Sequence, residues 1–185
     1  MFIIAGRFAH RKIVTPKSDQ IRPTQGSLRG AVFNILQNSI EGTTFLDLCA
    51  GSGAMGLEAL SRGASRATFV DSDKNSCAAI RQNIEAFSLQ NEAELIYKDG
   101  LIALKMLEKR GQLFDICYVD PPYQKSKLLA SLLETLDSKP LVKEGGLVIV
   151  ETDDDRLDTQ LNFKKLTLES KRHSGDSILY IFRSK

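Results

Sequence analysis

Histidine is scarce. Only His10 and His173 occur, far apart, so a histidine-built zinc site is not expected. The three cysteines, Cys49, Cys77 and Cys117, form no CxxC pair. They read as reduced residues acting as small hydrophobes in a cytosolic protein rather than as a disulfide framework. No apolar run approaches the roughly 18 residues of a membrane span. The opening Met1-Phe2-Ile3-Ile4-Ala5-Gly6-Arg7 has no basic stretch before its short apolar run, so it is a poor signal peptide, and the expected location is the cytoplasm. Repeats and low-complexity segments are missing too. Asp153-Asp154-Asp155 has no further ligand spacing and reads as a solvated loop, not a metal site.

What is present suits one well-buried domain with a small appendage. The chain has 185 residues, 42% hydrophobic and 26% charged, an ordinary balance for a soluble globular protein. The net charge is only +2 but is unevenly spread. Residues 1–29 carry six basic side chains (Arg7, Arg11, Lys12, Lys17, Arg22, Arg29) against the single acid Asp19. The remainder holds 19 basic and 22 acidic residues. A basic segment on a slightly acidic body suggests a local polyanion contact. A solvated basic hairpin with no partner is the alternative.

Residues 2–5 and 11–15 read as two short strands joined by a basic turn, and 16–23 as a polar linker. Thr24 can cap a helix in which Leu28, Ala31, Val32, Ile35 and Leu36 recur at helical spacing. These residues, 1–42, form an expected extension, and 43–185 the main domain. There, apolar strands are expected at 44–49, 66–70, 93–97, 114–119 and 146–151, and helices at 54–62, 74–87, 101–109 and 126–136. Segments 163–171 and 177–182 alternate well enough to close the chain as an antiparallel pair. Strands alternating with helices predict an α/β fold: a mostly parallel sheet, helices on both faces, and an antiparallel edge.

The chemistry gathers at the carboxyl ends of those strands. Asp120-Pro121-Pro122-Tyr123 follows the apolar run 114–119. Two prolines cannot continue a ladder, so Asp120 is presented on a stiff loop with an aromatic beside it. In open α/β sheets that edge binds ligands. Between the first strand and its helix lies Asp47-Leu48-Cys49-Ala50-Gly51-Ser52-Gly53-Ala54-Met55-Gly56, whose glycine spacing also matches a dinucleotide fingerprint. Asp47 argues against that match, because a carboxylate repels a pyrophosphate and attracts an ammonium or sulfonium. S-adenosylmethionine carries both cations and no phosphate. Asp71 ends the second strand, where it can accept from two ribose hydroxyls, and Asp99 ends the third, within reach of an adenine amine. Asp favours turns in general, but four successive strand ends on or near Asp are hard to credit to turns.

These motifs resemble those of class I S-adenosylmethionine-dependent methyltransferases, and Asp-Pro-Pro-Tyr narrows the likeness to enzymes that methylate exocyclic or amide nitrogens. Ile3-Ile4-Ala5-Gly6, Thr15-Pro16, Arg22-Pro23-Thr24, Arg29, Phe33-Asn34-Ile35-Leu36, the run from Leu57 to Ala64 and Gly175-Asp176 resemble the bacterial RsmD family, 16S ribosomal RNA guanine-N2 methyltransferases. Two positions depart from that family's pattern: Asp71 stands where Glu is usual, and His10 where Gly is common. The resemblance implies a Rossmann-like, seven-stranded sheet and S-adenosylmethionine held by Asp47, Ala50, Gly51, Ser52, Gly53, Asp71, Ser72, Asp99 and Gly100. It implies a catalytic corner of Asp120, Pro121, Pro122 and Tyr123. It also implies RNA contacts from Arg7, Arg11, Lys12, Arg22, Thr24 and Arg29. The implied substrate is 16S RNA in the assembling 30S subunit, at a guanine-966-type site, with ribosomal proteins as further partners, a monomeric enzyme and no membrane.

Three rivals stay open at this point. One is the same chemistry on DNA adenine or a protein glutamine, disfavoured by the lack of an added DNA-recognition domain and by Asp rather than Asn before Pro-Pro-Tyr. Another is a dinucleotide oxidoreductase, disfavoured by Asp47 and by the absence of a paired catalytic His or Tyr motif. The third is a ribosome-binding module with a dead site, disfavoured because every expected site residue is present.

Overall fold

The computed structural model describes residues 1–16, 26–122, 126–157 and 162–185. In chain order the elements are α1 (Gly26–Leu36), β1 (Thr44–Leu48), α2 (Ala54–Ser61), β2 (Arg66–Asp71), α3 (Lys74–Ala86) and β3 (Ala93–Tyr97). Then come α4 (Gly100–Lys109), β4 (Phe114–Val119), α5 (Ser126–Ser138), β5 (Val142–Thr152), β6 (Leu166–Ser174) and β7 (Ser177–Ser184). The seven strands form one sheet in the order β3-β2-β1-β4-β5-β7-β6. The first five are parallel, and β7 runs antiparallel to β5 and β6. The chain reverses direction of travel across the sheet between β1 and β4, which opens a crevice there at the carboxyl edge.

Alternation along each strand builds two cores. Leu46, Leu48, Val70, Val119 and Val150 face α4 and α5, packing with Leu104, Leu107, Leu132 and Leu136. Phe45, Phe69, Tyr118 and Ile149 face the other way, onto Val32, Phe33, Leu57 and Ile80 of α1, α2 and α3. Continuous apolar runs are what a parallel sheet covered on both faces demands. Ile3, Ile13 and Leu28 join the second of these cores.

The amino-terminal hairpin is slighter than two strands. One bridge, Phe2 with Lys12, holds it, with backbone bonds from Ile3 N to Arg11 O and from His10 N to Ile3 O, both 3.0 Å. His10 closes its turn at φ +66°. That left-handed backbone explains why glycine is the easier residue at this position. Strand β5 begins four residues earlier than its apolar run suggests. Val142 already pairs with Phe114 before a register shift, and Gly145 turns through φ +74° inside the strand. Among the described residues no helix is long and apolar enough to cross a membrane.

Gly56 sets how closely α2 sits on the sheet. A methyl there would lie 2.3 Å from Phe69 Cε1 and 2.7 Å from Phe69 Cζ, a ring that is itself buried. Gly56→Ala is expected to destabilise the protein by about 1–3 kcal/mol through overpacking. Urea denaturation checks it; unchanged stability would mean that α2 shifts freely on β2.

Candidate active site

The strand register stacks three acids, Asp71, Asp120 and Glu151, in one row. Ile96, Val70, Leu48, Val119 and Val150 stand side by side. One residue further along the five strands come Tyr97, Asp71, Cys49, Asp120 and Glu151. Because side chains alternate, the row that carries the acids turns toward the α2 face. The sheet is finishing here: Asp120 N still donates to Leu48 O at 3.2 Å and Ala50 N to Val70 O at 3.0 Å.

The loop after β1 is tight. Cys49, Gly51 and Gly53 adopt φ of +65°, +55° and +76°, and Gly53 N closes on Ala50 O at 2.7 Å. Gly53 begins α2 with no side chain of its own to cap it. The cap comes from the strand instead: Asp47 Oδ2 accepts from Gly56 N at 2.9 Å. A carboxylate at a helix start is favoured by the unpaired N–H groups there. Asp47 is only 2% exposed, and through Gly56 it braces the loop from beneath.

Burial pushes the Asp47 carboxyl up to about 7, against the bond from Gly56 and with help from Asp71. Folding therefore favours its protonated form. The stability this contributes is complete below the ordinary value of 3.8 and is lost as pH rises through about 7. Asp47→Asn keeps an oxygen for Gly56 and has no charge to bury. It is expected to stabilise the protein above pH 7 by up to about 4 kcal/mol, with the gain vanishing toward acid pH. Denaturation midpoints of both proteins across pH measure this; a gain independent of pH would show that Asp47 is not the titrating group.

Asp71 lies at the end of β2, half-buried. Its Oδ2 accepts from Gly51 N at 2.7 Å and its Oδ1 from Asp73 N at 2.8 Å. The backbone of Ser72 donates to the same carboxylate. Burial raises this carboxyl, opposed by the N–H bonds from Asp73 and Gly51. Ser72 beside it is exposed. Asp99 is exposed and caps α4, with Oδ1 accepting from Leu101 N at 2.9 Å. Gly100 starts that helix close under Leu132. Ser52 is buried, and its carbonyl accepts from Asn83 Nδ2 at 3.3 Å.

Asp120 is half-buried, Pro121 buried and Pro122 exposed. Burial, then the neighbouring acids Glu151 and Asp47, hold the Asp120 carboxyl well above the usual carboxylate range. The thiol of Cys49 is raised by burial and by four acids around it, Asp71, Asp120, Asp47 and Asp99. Among the described residues the titratable groups gathered here are acids and a thiol, a lining that fits a cation without a phosphate. S-adenosylmethionine meets that description; a dinucleotide does not. Tyr123, like Arg22 and Thr24, lies outside the described residues.

The basic residues expected near this corner are elsewhere. Arg29 is 1% exposed, with Nη2 donating to Phe2 O at 2.6 Å and Nε 3.4 Å from Glu58 Oε2. It is closed to a phosphate, and its expected RNA contact is corrected to a structural one. Arg7 pairs with Glu92 and its N–H meets Ser61 O. Arg11 donates to Ala86 O at 2.6 Å and lies over the Phe87 ring. Ser61 and Ala86 are the last residues of α2 and α3, so the basic turn sits at the amino edge of the sheet. The 13-residue α3 alone separates the two edges by about 20 Å. Lys12 is exposed in the middle of the hairpin.

Three side chains around the site escaped the sequence reading: Glu151, Tyr118 and Ser177. Glu151 is buried near the end of β5 and accepts from the hydroxyls of Tyr118 and Ser177. A signal existed. Val150-Glu151 repeats, in the neighbouring strand, the apolar-then-acid step of Val119-Asp120.

The family model described as "Conserved hypothetical protein 95" matches residues 1–183. Putative rRNA methyltransferase YlbH of Bacillus subtilis is 33% identical over 153 residues, 83% of each chain. Ribosomal RNA small subunit methyltransferase D of Escherichia coli K12 is 33% identical over 151 residues, 82% of this chain and 74% of that one. Among solved structures, a putative methyltransferase, yhhF, from Escherichia coli superposes with a TM-score of 0.83 at 26% identity, covering 100% of this chain and 98% of that chain. The strand order, the acid row and these likenesses agree: the chain has a class I methyltransferase fold and belongs to the conserved hypothetical protein 95 family, the RsmD family that its motifs resemble.

Proposed function

We propose that the protein methylates the exocyclic N2 of a guanine in 16S ribosomal RNA, at a guanine-966-type site, in the assembling small subunit. It works as a monomer in the cytoplasm. The coarser reading, S-adenosylmethionine-dependent methylation of ribosomal RNA, is supported by the names of relatives such as Ribosomal RNA small subunit methyltransferase D. The observation that carries the chemistry is Asp120 on its proline-stiffened corner, beside the β1 loop and in line with Asp71.

S-adenosylmethionine, when bound, supplies an electrophilic sulfonium methyl. Ala50, Gly51, Ser52 and Gly53 bring backbone close to it, with Asp47 fixing the loop. Asp71 and Ser72 hold the ribose, and Asp99 with Gly100 the adenine. The target amine is a poor nucleophile because its lone pair is delocalised into the ring. Asp120 and the Pro121 carbonyl accept its two N–H hydrogens, orient the lone pair and stabilise positive charge developing on nitrogen. Alignment supplies much of the remaining rate. No strong base is needed, since the alkylated nitrogen is acidic and passes its proton late to the Asp120 carboxylate that already accepts its N–H. Tyr123 stacks on the extruded base, and Pro122 keeps that corner rigid.

Arg22, Thr24 and Lys12 are the remaining candidates for RNA contact near residues 1–42. Arg7 and Arg11 can serve only RNA that extends to the amino edge of the sheet.

The test uses labelled S-adenosylmethionine and small subunits that lack the modification. Label in 16S RNA, mapped to N2 of one guanine, is the expected result. Cofactor binding without any RNA labelling would overturn the reading.

A further inference from the structure

Strand β5 carries, one residue before its end, an acid that the proposed reaction does not use. Glu151 is 6% exposed. It stands one position past Val150, and Asp120 one position past Val119, its partner on the adjacent strand. Parallel neighbours lie about 4.8 Å apart, so the two carboxyls share a row and a face. Both oxygens of Glu151 are held. Oε2 accepts from the hydroxyl of Tyr118, two residues before Asp120 on β4. Oε1 accepts from Ser177 Oγ at 3.0 Å. Ser177 opens β7, directly after the two-residue turn Gly175-Asp176, and pairs across it with Ser174. That turn, conspicuous in the sequence, delivers a donor to Glu151.

We propose that Glu151 is a positioning residue for methyl transfer: anchored by the Tyr118 and Ser177 hydroxyls, it sets how tightly Asp120 holds its proton. The inference rests on the reading that Asp120 receives the target amine.

Among the described residues, the titratable groups that act on or feel Asp120 are Glu151 on β5, Asp47 on β1, Tyr118 on its own strand and Cys49 after β1. Glu151 is the larger of the two acidic influences, after burial itself. Ionising a further carboxyl beside two other acids is costly in a buried corner. In the free protein Asp120 therefore holds its proton to higher pH than an ordinary carboxyl does. A cation beside it weakens that hold, so the site gains its negative charge more readily when positive charge is there to be stabilised.

Glu151→Gln is the informative variant. A glutamine fits the same space, and hydroxyls can donate to its oxygen and accept from its nitrogen, so the local bonds survive while the charge goes. In the free protein, carbon-13 carboxyl NMR follows Asp120, its signal assigned by its loss in Asp120→Asn. The expected result is a fall in the Asp120 midpoint of at least about one pH unit, a tenfold weaker hold on the proton. Glu151→Asp, which restores the charge, is expected to bring the midpoint back toward wild type. A midpoint unmoved in Glu151→Gln overturns the proposal, even if that variant melts earlier. The acid limb of the methyl-transfer rate should move down with the midpoint. A wild-type protein that methylates no RNA, yet shows the shifted midpoint, would sink the functional reading and leave the coupling of the two acids standing.

Discussion

Asp120→Ala is expected to lower methyl transfer roughly a hundred- to a thousandfold while largely sparing cofactor affinity. The asymmetry follows from where Asp120 sits. The contacts proposed for the cofactor come from the β1 loop, Asp71 and Asp99, whereas Asp120 and Pro121 are the acceptors turned toward an incoming amine. Alanine removes one of two acceptors and with it the charge that opposes a developing ammonium. Asp120→Asn separates these contributions. It keeps an oxygen acceptor, so it should retain at least about ten times the activity of the alanine variant, an acceptor alone being worth about 1.5 kcal/mol. It should also lose the acid limb of the pH profile, because the group that titrates is gone. The sign is fixed by the raised carboxyl: wild-type rate climbs with pH as Asp120 ionises, and the asparagine variant stays flat. Rates at saturating RNA, with cofactor affinity by calorimetry, decide it. Equal loss of rate and cofactor affinity in Asp120→Ala would reassign Asp120 to cofactor binding.

Much of this site could be read from the chain because its signals are local. Asp47, Asp71, Asp99 and Asp120 each follow or end a short apolar run, and a covered parallel sheet makes such runs conspicuous. Strand β4 occupies the residues expected of it because Pro121 and Pro122 end its ladder. What could not be read depends on partners distant in sequence. Arg29 looks like a phosphate ligand until Glu58, a buried acid on another helix, is found against it. Arg7 and Arg11 share a turn with no local clue to which sheet edge it meets; Ser61 and Ala86 decide that. Asp47 lies within a strand whose burial the alternation predicts, but its role as the cap of α2 appears only once Gly56 folds back over it. Lys143-Glu144-Gly145 has the composition of a turn, which hides the first part of β5, and its pairing with β4 is irregular there.

The same contrast between local and distant contacts predicts the largest loss of stability. Glu58→Ala is expected to destabilise the protein by about 3–5 kcal/mol, a fall in melting temperature on the order of 10 °C. Glu58 is fully buried in α2. Its Oε2 accepts from Ile4 N at 2.8 Å, and its Oε1 from Ala5 N at 3.0 Å and from Arg62 Nε at 2.8 Å. Arg29 from α1 faces the same carboxylate. One side chain thus joins the hairpin, α1 and α2. Removing it strands the Arg29 guanidinium, whose burial already weakens its hold on its proton, along with two backbone donors. Glu58→Gln should recover little, because its amide nitrogen must face another donor and it still leaves Arg29 without a counter-charge. Arg29→Met relieves that second cost. The double variant Arg29→Met with Glu58→Gln should therefore lose clearly less than the sum of the two single losses, by about 1–3 kcal/mol. Guanidinium denaturation of the four proteins completes the cycle. Strictly additive losses would mean that Glu58 and Arg29 do not support each other, each being held by its other partners.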